Sequence, residues 1–308
     1  MPCLPSGRRT IAAGRGHPAG CCSAITRLLL ARRTEKKTVQ EDEIIGFDAL
    51  YASMGKCSKG VRRKASVGRY CLYGMDEILK LHQELVTGTY RARPTSKVKI
   101  TYPKPRVAVA TSFRDRVYQR SLNDNAVYPA MSKGFIRHNA ACQTGKGTDW
   151  ARQQVKLMME REYRQHGPDG WCLLVDIRHY YDTMPHEVAN QRFERKLPYN
   201  VYARVRDVLD RQYTGEAGYS PGSQMVQLAG ISVPDPIDHY IKERLRADKY
   251  VRFMDDSWIC HHDKAQLEKW REAIRGSDMP QRAWNSTRPK QRLSGCGTVS
   301  GILALFTA

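Results

Sequence analysis

The sequence predicts an α+β domain, and three features carry that expectation. Trp171-Cys-Leu-Leu-Val-Asp-Ile177 is a largely apolar run launched from the turn Gly167-Pro-Asp-Gly170, the pattern of a buried strand. Lys249 to Cys260 has apolar arms with Met254-Asp255-Asp256 at or near the turn, the pattern of a hairpin. Between and before these strands lie segments whose apolar residues recur at helical spacing. Strands mixed with helices in this order suit an α+β layout.

Taken in order, residues 1 to about 40 read as unstructured, and Lys56 to Arg69 is a second basic stretch carrying Lys59, Arg62, Arg63 and Lys64. Met75 to Val86 is predicted helical, with Met75, Ile78, Leu79 and Leu85 on one face and Gly88 ending it. Lys97 to Ala110 alternates like two short strands around the turn-rich Tyr102-Pro-Lys-Pro-Arg106. A helix is expected over Arg114 to Val127. A longer one follows from Asp149 to about Gln165, capped by Thr148, with Ala151, Val155, Met158 and Met159 inward. After the apolar strand, helices are expected near His186 to Leu197 and Val201 to Tyr213, then a loop over Gly215 to Gly222. Gln224 to Leu245 is helical at both ends and broken near Pro234 and Pro236. Leu267, Trp270 and Ile274 mark one face of a last short helix.

Composition narrows the function. The chain has 308 residues, 51 Lys and Arg against 31 Asp and Glu, and a formal net charge of +20. Such an excess favours a polyanionic partner, because each phosphate neutralised releases condensed counterions. Nine cysteines, an odd number without the short spacing of a zinc site, argue against a disulfide framework and suggest a reducing, cytoplasmic setting. No apolar run reaches the roughly 18 residues of a membrane span. Residues 1 to 37 are rich in Arg and nearly free of acid. Gly, Pro and Cys break any amphipathic helix there, so a disordered basic tail or a wrongly chosen start codon fits better than a presequence.

The chemistry-bearing residues are carboxylates. Asp176 ends an otherwise apolar strand, and Asp255-Asp256 sits among apolar and aromatic residues. A carboxylate entering a buried strand is costly unless a cation balances it. Mg²⁺ takes hard oxygen ligands, binds few protein carboxylates and leaves positions for substrate phosphates. Taken alone, a strand-end Asp is more often a cap or turn residue, and an Asp pair in a turn is more often simply solvated. His261-His262-Asp263 reads as an exposed polar strand end rather than a metal site, and His138, His179 and His186 show no ligand spacing.

Four segments, in order, change that balance. Tyr250-Val-Arg-Phe-Met-Asp-Asp-Ser-Trp-Ile259 resembles the catalytic hairpin of bacterial reverse transcriptases. Val175-Asp-Ile-Arg-His-Tyr-Tyr-Asp-Thr-Met-Pro-His186 resembles that family's first metal-binding motif. Phe135 to Thr148 resembles the segment entering its long helix, and Arg106 to Gln119 its nucleotide-facing fingers segment. The similarity spans roughly residues 45 to 275. It implies a right-hand polymerase with an RRM-like antiparallel palm sheet and a truncated or degraded thumb. The implied layout is a basic segment at 1–44, fingers at 45–150, palm at 151–275 and an eroded tail at 276–308.

The resemblance further implies an RNA-directed DNA polymerase. Asp176, Asp255 and Asp256 would be catalytic, and with the Ile177 carbonyl would hold two Mg²⁺ ions, or Mn²⁺ as a substitute. Substrate binding would fall to Lys104, Arg106 and Arg114, to Tyr181 as a gate against the ribose 2′-hydroxyl, and to Gly222 and Gln224 in the positioning motif Gly222-Ser-Gln-Met-Val-Gln227. For Tyr181, core packing is an equal alternative. The implied partners are an RNA template, a DNA primer, deoxynucleoside triphosphates and a retroelement accessory protein, with no membrane. The subtype leans towards group II intron or diversity-generating retroelement types, although Val226 replaces the Ser typical of the latter. Ser257 stands where an apolar residue is usual, and the chain ends at Ala308, soon after Asp256. A truncated palm that only binds nucleic acid is therefore the rival expectation, and a nuclease the more distant one.

Overall fold

The apolar run Trp171–Asp176 forms an inner strand of a four-stranded sheet, and both its faces are covered. The structure, a computed structural model, describes residues 39–102, 106–177, 179–220, 222–277 and 290–295, the side chains of 106–108 and 290–295 excepted. All of them belong to one compact unit beginning at Thr38.

The N-terminal half is mainly helical: α1 (Glu41–Ile45), α2 (Phe47–Ser58), α3 (Ala65–Leu72), α4 (Gly74–Val86), α5 (Phe113–Leu122) and α6 (Tyr128–Ser132). Strands β1 (Ser96–Ile100) and β2 (Arg106–Ala110) form a separate antiparallel pair, with Ile100 opposite Arg106. Then come α7 (Thr148–His166), β3 (Trp171–Asp176), α8 (His186–Lys196), α9 (Tyr199–Gln212), α10 (Gln224–Ser232), α11 (Asp235–His239), β4 (Tyr250–Phe253), β5 (Asp256–His261), α12 (Lys264–Gly276) and β6 (Lys290–Gly295).

The sheet order is β4-β5-β3-β6, antiparallel at every junction. With helices after β3 and after β5, the connectivity is β-α-β-β-α-β, that of a ferredoxin-like or RRM-like unit. Successive residues face opposite sides of a strand. Cys172, Val251, Trp258 and Cys260 accordingly pack with Ala151 and Val155 of α7. Leu173, Tyr250 and Ile259 pack on the other face with Leu267, Trp270 and Ile274 of α12. Burial on both faces explains why β3 reads as an apolar run instead of an alternating one.

Several local expectations change. In α4 the buried stripe is Ile78, Leu81 and Leu85, while Met75 and Leu79 are exposed. Gly88 does follow the helix in the left-handed region, at φ 69°. Thr148 is the first helical residue of α7 and does not cap it; Gly147 holds the cap position. The helix expected over Arg114 to Val127 begins at Phe113. Ser112 caps it by accepting from Asp115 N, and it loosens into a π-helical turn over Asn123–Val127. Between Ser232 and Asp235 the chain breaks, as Pro234 and Pro236 require. Strand β6 lies within the stretch read as an eroded tail, yet it pairs with β3 along its whole length, Asp176 opposite Lys290. Trp284 and the segment after Gly295 lie outside the described residues. No helix among the described residues is long and apolar enough to cross a membrane.

Candidate active site

The antiparallel register brings the predicted aspartates to one end of the sheet. Val175 of β3 lies opposite Ser257 of β5, so Asp176 and Asp256 are the next residues along two neighbouring strands. Phe253 pairs with Asp256, which makes Met254-Asp255 a two-residue turn. Such tight hairpins need left-handed backbone. Met254 supplies it at φ 56°, a conformation that costs a non-glycine residue about 1–3 kcal/mol.

The turn is held from below. Arg252 is fully buried, and its Nη1 donates to the Met254 carbonyl at 2.8 Å. Its Nε and Nη2 donate to the two carboxylate oxygens of Asp238 at 2.7 and 2.6 Å, and Nη2 also reaches the Ile231 carbonyl at 2.8 Å. Tyr250 OH donates to the same Asp238 at 2.7 Å. On the open edge of β4, Arg252 N donates to the His138 carbonyl and Ala140 N to the Arg252 carbonyl. Sequence reading missed this brace. The only signal was an arginine inside an otherwise apolar strand.

Asp176, Asp255 and Asp256 are each half-buried, and no ion pair joins them to a described residue. Burial raises the Asp255 carboxyl, and Asp176 raises it further. Asp256 is pushed up to about 7, first by burial and then by its neighbours Asp255 and Asp176. Asp255 and Asp256 are thus both held above the usual carboxylate range by burial and by neighbouring acids. Among the described residues, the three ligating side chains whose donor atoms all lie within 4.8 Å of one another are Glu162, His166 and His262. The aspartates are therefore spread more widely than a single tight cage.

Other expected site residues fall around this point to different degrees. Ile177 directly follows β3 and packs against the main core. Tyr181 packs against the same core, close to Gly230 of α10, and its hydroxyl meets Met254 Sδ at 3.5 Å. Burial, with Asp255 among the lesser causes, raises its phenol far above the usual value. Tyr181 thus both packs into the core and adjoins the aspartate turn. Gly222 lies under β2: a Cβ there would meet the Val109 carbonyl at 3.0 Å. Ser223 caps α10 and donates to Gln119 of α5 at 2.9 Å, which puts Gln224 at the head of that helix, half-buried. Arg106 opens β2, and Lys104 lies outside the described residues. Arg114 is turned inward: buried, ion-paired with Glu84 and stacked over Tyr90 at 5.2 Å. Its charge serves the helical half of the molecule.

No family model and no curated protein matches the chain. Among solved structures it is similar to telomerase from Candida albicans in complex with a TWJ fragment of telomeric RNA. That chain is 11% identical, with a TM-score of 0.45 over 65% of this chain and 42% of the other. It is also similar to apo telomerase from Candida tropicalis truncated from its C-terminal domain, 9% identical with a TM-score of 0.41 over 73% and 56%. The chain spans less than two thirds of either of them.

Proposed function

We propose that the chain is a template-directed nucleotidyltransferase of the reverse-transcriptase kind. The observation that carries this reading is the junction of β3 with the β4–β5 hairpin, which sets strand-end Asp176 beside the Asp255-Asp256 turn. The ordered motifs of the sequence support it. The donor set fits Mg²⁺: hard carboxylate oxygens, no competing ion pair among the described residues, and mutual repulsion that a cation would relieve. Asp176, Asp255 and the Ile177 carbonyl would hold the ions, and Asp256 would complete the acidic cluster. When bound, two such ions supply activation of the primer 3′-hydroxyl and neutralisation of the leaving pyrophosphate.

The remaining work falls to the protein's own groups. Arg252 fixes the Met254 carbonyl and so the direction in which Asp255 leaves the turn. Tyr181, wedged between Gly230 and Met254, offers a rigid ring beside Asp255, suited to excluding a ribose 2′-hydroxyl. Gly222 lets the head of α10 approach β2, the strand that begins with Arg106. A nucleotide bound beside this junction would meet Gln224, and by the sequence resemblance Lys104 and Arg106 would take its phosphates, where a guanidinium can grip phosphate oxygens in pairs. The template would be RNA and the primer DNA. The subtype proposed is a bacterial retroelement enzyme working in the cytoplasm.

The test is primer extension on an RNA template with purified protein, Mg²⁺ and deoxynucleotides, run beside an Asp255→Ala/Asp256→Ala variant. The parent is expected to extend. The variant is expected to lose more than the 10–100-fold that loss of a metal's outer-shell partner costs. A folded parent that binds RNA–DNA hybrid without extending it would instead make the chain a binding protein with a relic palm. Equal extension by both proteins would remove the aspartates from the mechanism.

A further inference from the structure

At the far end of the sheet, the structure gathers a second group of ligating side chains. Trp171 pairs with His261 there, at the end of β3 and β5 opposite Asp176 and Asp256. His262 lies six positions beyond Asp256, so the two ends lie about 20 Å apart at strand rise. Glu162 and His166 are four residues apart on α7 and therefore share one face of that helix. His262 follows directly on β5. His262 is exposed at the strand end, as expected, and α7 delivers its last turn to the same point.

The geometry is specific. Glu162 is buried at 2% exposure, and its Oε1 lies 3.2 Å from His262 Nδ1. Its other oxygen is held by Lys249, with Nζ at 2.5 Å. The imidazoles of His166 and His262 stack at 3.7 Å between centroids, 18° from parallel. The nitrogen lone pairs of stacked rings lie in near-parallel planes, so one exposed ring must turn for both to reach one ion. One donor atom from each residue lies within 4.8 Å of the other two. His166 and His262 are exposed, which gives an ion a way in, while the buried carboxylate anchors the set.

We propose that Glu162, His166 and His262 form a binding site for one divalent transition-metal ion of zinc's class, which ties the C-terminal turn of α7 to the end of β5. Two imidazoles and a carboxylate are a zinc donor set that leaves a fourth position for water. Imidazole nitrogen suits Zn²⁺, Ni²⁺ or Co²⁺ and is poorly suited to Mg²⁺. The two ends of the sheet would therefore sort metals by hardness: oxygen-seeking ions at the aspartates, nitrogen-seeking ions here. Lys249 keeps Oε2 occupied and leaves Oε1 as the ligating atom. His261, although stacked on His262 at 4.3 Å, is excluded. Its Nδ1 accepts from Asp263 N at 3.0 Å, and its ring stands edge-on to Trp270. The proposal does not depend on polymerase activity.

The experiment is a calorimetric Zn²⁺ titration of the metal-stripped full chain, with accessible thiols alkylated and excess Mg²⁺ filling hard-oxygen sites. His166→Gln and His262→Gln variants run in parallel. Both histidines are exposed, so both variants are expected to fold with the parent's metal-free Tm. The expected result is one equivalent bound by the parent and at least a tenfold loss of affinity in each variant. At Zn²⁺ a hundred times the parent's Kd, the parent's Tm should rise by about 4 °C, and the variants' by no more than about half of that. Uptake of zinc by the variants equal to the parent's, or no uptake by the parent, would overturn the proposal. Glu162→Gln is the weaker probe, since it would also strand Lys249 in a buried position.

Discussion

Asp256 shows how much of the site is decided by single carboxyls. Its pKa is lifted from an ordinary 3.8 to about 7, by burial first and then by Asp255 and Asp176. A group whose pKa is higher in the folded chain favours folding below its unfolded pKa, and that contribution is lost as pH rises through the folded value. For Asp256 the window runs from just under pH 4 to about pH 7, and Asp255, raised by the same causes, works in the same direction. Without divalent metal, Asp256→Asn should therefore melt higher than the parent at pH 8 and close to it at pH 4. Added Mg²⁺ should narrow the gap at pH 8. Thermal melts at the two pH values, with and without Mg²⁺, decide it; an Asn variant no more stable at pH 8 sinks the claim. The aspartates were legible through the four ordered motifs, since alone an acid at a strand end or turn reads as a cap or a solvated residue. Arg114 was not, because sequence cannot tell an arginine facing solvent from one buried against Glu84 and Tyr90.

The β4–β5 hairpin owes its turn to an element that carries no chemistry. Met254 is strained, and the groups that hold it are Arg252 and, through Arg252, Asp238 of α11. Both side chains are buried at 2% exposure or less. Breaking such a pair from one side leaves an uncompensated buried charge and costs about 3–5 kcal/mol. Asp238→Ala should lose about that much in urea denaturation at unchanged m-value, and should slow primer extension although every aspartate of the triad remains. Replacing both partners, as Arg252→Met with Asp238→Leu, should restore most of the stability and little of the activity, because the Met254 carbonyl stays unheld. Full recovery of both would mean that the hairpin needs only packing. The hairpin itself was readable from its apolar arms, and α7 and α12 from their periodicity. The brace was not, because α11 and β4 meet only through tertiary packing. Likewise Glu162 and His166 have readable helical spacing, but His262 comes from a hundred residues further on.

At the scale of the molecule, the excess of cations must be placed before it can mean anything. The net charge of +20 belongs to the whole sequence, and six of its 33 arginines lie in residues 1–37, outside those described. Among the described residues, one concave basic surface lies at the end of α2 and the turn after it, lined by Gly55, Ser58, Lys59, Gly60, Arg62 and Arg63. Sequence reading saw this stretch as charge alone and missed that α2 and α3 flank it and fix its curvature. Lys59, Arg62 and Arg63 are exposed, so changing them to Ala should alter stability by no more than about 0.5 kcal/mol. If they grip an RNA backbone, each phosphate left without its cation should reduce the slope of log K against log salt by about 0.7. The triple variant should thus bind RNA more weakly at low salt and show a slope smaller by about 2. Fluorescence anisotropy over a salt series measures both quantities at once. A weaker affinity with an unchanged slope would mean that the surface acts through shape and not through charge. An unchanged affinity would assign the polyanion to other basic residues of the chain instead. The slope discriminates better than a single Kd, since it counts phosphates rather than averaging over them.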